Sequence, residues 1–136
     1  MTRFYLLFSA AGLLPVALSY GLAPAVVLPK VFDLTIEGAD QSHILRAYMG
    51  LYLGMIVLWV LGAVREKLAR AAVISEIAFM FGLAAGRILS IVVDGLPSVL
   101  LIVYTGAEIG LGSWGILILR NLSRTPLDQD HTTAGC

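Results

Sequence analysis

The chain has 136 residues, 59% of them hydrophobic and 13% charged, with nine basic and nine acidic side chains and a formal net charge of +0. A soluble domain carries about 45–50% apolar and about 25% charged residues, so this balance excludes an ordinary soluble core and predicts a membrane protein. The absence of net charge excludes the basic footprint that nucleic-acid binding needs.

At about 20 residues per crossing of a ~30 Å hydrocarbon layer, the length allows about four spans and no separate soluble domain. The first is "FYLLFSAAGLLPVALSYGLA", residues 4–23, after Thr2-Arg3. A signal peptide is the competing reading, and Pro24, just past the cleavage position, argues against it. Pro15 falls inside the run, where neighbouring helices can satisfy the carbonyl it frees. In "PAVVLPKVFDLTIEGADQ", residues 24–41, prolines and then Asp33, Glu37 and Asp40 break the hydropathy. This predicts a short interfacial helix or turn and a polar loop, with Ser42 as N-cap of the second span.

The second span, 43–64, ends at the charged "REKLAR". The third, 71–93, ends at "DGLP", a tight turn in which Pro97 suits the first turn of the next helix. The fourth is 98–119, and the polar tail 121–136 has the composition of a disordered segment. The expected fold is all-α: a transmembrane four-helix bundle over residues 1–120, with a short interfacial helix after the first span. Arg3, then Arg65, Lys67 and Arg70, then Arg120 and Arg124 fall on one side, so the positive-inside rule places both termini in the cytoplasm. Spans two and four carry Gly-x-x-x-Gly pairs, Gly50/Gly54 and Gly106/Gly110, which signal close packing within the chain or between copies.

The third span carries ionisable residues. At ~100° per residue, Glu76, Arg87 and Asp94 lie along one face, with Met80, Leu83 and Ser90 between them. A charge at the centre of a span costs about 2.5–3.5 kcal/mol, so this stripe is expected to face the other helices. At ~1.5 Å per residue, Arg87 lies about 10 Å inward of Asp94, and Glu108 about 16 Å from the same surface. An Arg87–Glu108 ion pair is therefore expected, bidentate if the helices face correctly. Tyr104 shares the face of Glu108 and its hydroxyl is placed to join. His43 and Arg46 lie on one face near the outer surface, which suggests a second pair, Arg46–Asp94. Glu76 is expected to meet Arg70 or water. Tyr48, Tyr52 and Trp59 read as ordinary membrane aromatics, and Trp114, near the inner end of its span, as a belt residue.

No His, Cys and carboxylate spacing forms a metal motif, and no cofactor is expected. The single cysteine, Cys136, makes no internal disulfide or redox pair. No nucleophile–base pair, haem ligand set or thiol pair is present, so an enzyme is not the favoured reading.

The blocks "HILRAYMGLYLG" (43–54), "GRILSIVVDGLP" (86–97) and "YTGAEIGLG" (104–112), with "LPVALSYGLAP" (14–24) and "LPKVF" (28–32), resemble a bacterial family of small four-span membrane proteins of unknown function. The resemblance covers residues 4–120. It implies a bacterial inner-membrane location and that His43, Arg46, Arg87, Asp94 and Glu108 belong to one shared site. More distantly, the layout is similar to DoxX-like four-helix proteins, some of which accompany quinone-linked oxidoreductases. The expected function is a polar pocket open to the outer face, formed by His43, Arg46, Arg87, Ser90, Asp94, Tyr104 and Glu108. It would bind a small ligand, lipid or quinone, or dock a second copy or another membrane protein. The alternatives are a small proton-coupled transporter with Glu108 as carrier and, third, a subunit of a quinone-linked oxidoreductase.

Overall fold

A computed structural model describes residues 1–32, 35–36 and 38–123, and they form five helices: α1 (Thr2–Gly21), α2 (Pro24–Phe32), α3 (Gly38–Val64), α4 (Glu66–Asp94) and α5 (Val99–Ser123). All but α2 are long and apolar enough to cross a membrane. The protein is a multi-pass membrane protein, and its spans make a four-helix bundle. At 1.5 Å per residue the shortest span, α1, measures about 30 Å, the thickness of the hydrocarbon layer.

The helix boundaries follow from a few residues. Pro24 opens α2, where its missing N–H costs no hydrogen bond. α3 starts at Gly38 rather than His43, since Gly38 takes a positive φ of 85° at its entry. Ser42 consequently lies inside the helix, and its hydroxyl bonds back to the Gly38 carbonyl at 3.5 Å instead of capping. Most of the charged "REKLAR" stretch is helical. The break between α3 and α4 is Arg65 alone, extended at φ −116° and ψ 107°, and Glu66 follows in the first turn of α4, where the helix dipole favours an acid. Gly95, at φ 97°, ends α4. The Ser98 carbonyl accepts the first amide bonds of α5, from Leu101 and Ile102, so Pro97 precedes that first turn rather than sitting in it. α5 runs on to Ser123; the expectation of disorder beyond it falls outside the described residues.

α1 packs along α3, α3 along α4, and α4 along α5, while α1 and α5, which begin and end the circuit, touch far less. The start of α1, the α3–α4 junction and the end of α5 share one end with Arg3, Arg65, Lys67, Arg70 and Arg120; we call it the basic end. α2, the start of α3 and the 95–98 turn lie at the opposite end with Asp40 and Asp94, and with Lys30 and Arg46; we call it the acidic end.

Lipid tails are as apolar as leucine, so spans associate by close packing rather than by escaping water. The basic half shows how. Gly62 on α3 lies directly against Ala72 on α4, and Gly115 on α5 lies under the Tyr5 ring and Ile77. Trp59 is fully buried, stacks edge-on against Phe79 at 5.6 Å and donates its Nε1–H to Ser75 Oγ at 3.2 Å. It is a core residue of the bundle. Trp114 packs edge-on against Tyr5 at 5.2 Å, joining α5 to α1. The exposed apolar surface, which includes Val92, Val93, Val99 and Val103, is the face a membrane span presents to lipid.

Candidate functional site

The tight 95–98 turn folds α4 and α5 into an antiparallel hairpin, which brings Arg87 level with Glu108. Arg87 Nε–H donates to both Glu108 carboxylate oxygens, at 2.9 and 3.0 Å. The pair is largely buried, with the two side chains 21% and 10% exposed. The expected ion pair forms, but its geometry is not the fork-to-fork arrangement. One nitrogen serves both oxygens, so the N–H donors on Nη1 and Nη2 are not spent on Glu108. Tyr104 joins through its ring, not its hydroxyl: the guanidinium carbon lies 5.9 Å from the ring centroid, within the range of a cation–π contact. Tyr20 of α1 lies close enough to the guanidinium to feel its charge and to reach it with its hydroxyl.

Arg87 and Glu108 line a cavity of about 200 Å³ between α1, α4 and α5, with Tyr52 of α3 behind. α1 contributes Phe8, Ser9, Gly12, Leu13 and Val16; α4 adds Met80 and Leu83; α5 adds Tyr104, Ala107 and Leu111. The walls are therefore mostly apolar, with the ion pair as their principal polar feature. The cavity occupies the gap left where α1 and α5 part. They meet at the basic end, where the Tyr5 hydroxyl donates to the Leu111 carbonyl at 3.0 Å across the gap. A second hollow, lined by Pro15, Ser19, Val31 and Phe32, shares Gly12, Val16 and Tyr104 with the first and extends it toward α2.

Toward the basic end, α4 carries Glu76. It is fully buried, and neither of its carboxyl oxygens has a hydrogen-bond partner. The expected contact with Arg70 does not form, because Arg70 points outward; Glu76 instead faces Tyr5 and Ser9 of α1. Ser9 Oγ is likewise buried without a partner.

The other expected site residues stay apart from this core. Ser90 donates to Asp94 Oδ2 at 2.9 Å, and both are exposed. His43 and Arg46 are exposed on α3. The Arg46–Asp94 pair does not form; Arg87–Glu108 is the ion pair among the described residues. The α4 stripe turns inward only from Glu76 to Arg87, and its last turn faces out. The structure thus joins Arg87, Tyr104 and Glu108, and leaves His43, Arg46, Ser90 and Asp94 outside. Tyr5 and Ser9 were not among the expected site residues. The signal was present in their i,i+4 spacing, which puts both on the buried face of α1 with Leu13. The glycines of the Gly-x-x-x-Gly pairs meet no neighbour among the described residues. No group of His, Cys, Asp and Glu side chains suited to a metal ion converges among the described residues.

A family model described as a domain of unknown function, DUF4345, matches residues 1–119. No curated protein and no solved structure matches the chain.

Proposed function

The chain belongs to the DUF4345 family of domains of unknown function, and we propose that it is a membrane-embedded binding protein whose cavity takes a small lipid-soluble ligand, a lipid or a quinone, through Arg87. One observation carries this reading: Glu108 takes only the Nε–H of Arg87, which leaves the Nη donors outside the ion pair at a cavity whose other walls are mainly apolar. A guanidinium donor beside apolar walls gains from an acceptor oxygen brought by a ligand. Glu108 already balances the guanidinium charge, so the fitting occupant is uncharged and carries an acceptor oxygen, such as a carbonyl. A cavity of about 200 Å³ is smaller than the ~300–1,000 Å³ of pockets that enclose a whole drug-sized ligand. It suits a head group whose apolar remainder leaves through the gap between α1 and α5.

The same ion pair weighs against Glu108 as a proton carrier, because both its oxygens are on Arg87 Nε and a competing cation would have to displace the guanidinium. The basic residues gathered at one end of the bundle support cytoplasmic termini, here in a bacterial inner membrane.

The test is to purify the protein in lipid nanodiscs, extract what it retains and identify it by mass spectrometry. A neutral, oxygen-bearing lipid or quinone is expected with the unaltered protein and with Arg46→Ala, and is lost from Arg87→Met. An identical set of molecules from Arg87→Met and the unaltered protein would refute the reading.

A further inference from the structure

The outer ion pair leaves the inner part of the cavity wall unexplained. Glu76 is fully buried, both its oxygens lack partners, and no cation pairs with it among the described residues. Its neighbour Ser9 is 2% exposed, has an unpartnered hydroxyl and also lines the cavity. Ser9 therefore stands between the carboxyl and the cavity. A hydroxyl donates one hydrogen and accepts on its lone pairs, so it can pass a hydrogen bond in either direction. Tyr5, the other neighbour, has its hydroxyl hydrogen engaged by the Leu111 carbonyl at 3.0 Å.

We propose that Glu76 is a proton-exchange site of the bundle, connected to the cavity through the Ser9 hydroxyl. When Glu76 gives up its proton, the carboxyl O–H bond breaks and a new O–H bond forms on Ser9 Oγ. In the same event Ser9 passes its own hydrogen to an oxygen in the cavity, either of water or of a ligand. One negative charge remains on Glu76, one positive charge reaches the cavity, and no electron is transferred. The reverse event reloads the carboxyl.

The surroundings leave this role to Glu76. α1 brings Tyr5 and Ser9 to it. On α3, the Trp59 Nε1–H is used on Ser75, and Tyr52 lines the cavity. α5 brings the Leu111 carbonyl, already engaged by Tyr5, and farther along the cavity Glu108, held by Arg87. A buried carboxylate needs a counter-charge, and a proton is what these neighbours leave room for. The proton function considered for Glu108 thus moves to a different carboxyl, one with no guanidinium to displace. The inference holds whether or not a ligand enters the cavity.

Infrared spectroscopy of the full chain in phospholipid nanodiscs tests it. The carbonyl stretch of a protonated carboxylic acid is expected to shift on transfer to D₂O. The band should disappear in Glu76→Gln, and persist at an altered frequency in Glu76→Asp, which keeps the carboxyl if Gln disturbs folding. In Ser9→Ala the band is expected to remain while its hydrogen–deuterium exchange slows by about tenfold or more, a barrier increase of about 1.4 kcal/mol. A carboxylic-acid band that survives Glu76→Gln unchanged, or that never exchanges, overturns the site. Equal exchange rates in Ser9→Ala and the unaltered chain overturn the connection through Ser9.

Discussion

The basic half of the bundle buries Tyr5, Leu6, Trp59, Ala63, Ala72 and Val73, whereas in the acidic half no residue of α3 before Tyr52 and none of α4 after Ala84 is buried. Both halves are made of the same apolar helices, so composition does not separate them. Small residues do. Gly62, Ala72 and Gly115 let the helices approach at the basic end; in the acidic half Gly50, Gly54, Gly86 and Gly106 face outward and meet nothing. There α1 still packs closely on α3, with Gly21 against Met49, but α4 and α5 are held by a charge pair and a ring face, and the space between them and α1 stays open. Packing without a hydrophobic drive depends on fit, and where the fit stops, a cavity begins.

The strongest way to break this contrast is Arg87→Met. It leaves Glu108 buried without its partner and is expected to cost about 3–5 kcal/mol, read as a lower midpoint of unfolding in detergent. Adding Glu108→Gln should restore most of the loss, since the double variant strands no charge. Gly62→Leu should come next. The new side chain has no room against Ala72, and overpacking of a tight contact costs about 1–3 kcal/mol. The contrast is sharpened by Gly86→Leu, the same change at a glycine with open space around it. It should move the midpoint by no more than about 0.5 kcal/mol. A large loss from Gly86→Leu would show that the outward glycines are covered in the membrane.

The spans were legible because runs of about 20 apolar residues admit few other structures. The Arg87–Glu108 pair was legible for a related reason. A short turn fixes the relative depth of the residues on either side of it, and charges inside a span must find one another. Arg46 and Asp94 were a weaker case, because near the membrane surface a charge can reach water and needs no partner. Asp94 instead bonds Ser90, one helical turn away. The α3 start at Gly38 and the helical "REKLAR" stretch were missed since charged residues outside the lipid continue a helix as readily as they end it. The setting of Glu76 was hidden for another reason. Its neighbours Tyr5 and Ser9 come from α1, and nothing in local spacing tells which helix of a bundle faces which.

The Arg87–Glu108 pair spans 21 positions of chain, all within the α4–α5 hairpin. Its consequence reaches back to how the protein is made. α4 alone would carry an uncompensated arginine into the bilayer, at a cost of about 2.5–3.5 kcal/mol. Because the opposing charge follows immediately on the next span, the two helices cross the membrane as one neutral unit. The helix synthesised after α4 is thus the one that makes its predecessor acceptable to lipid, and truncating the chain before Glu108 would leave α4 without its counter-charge.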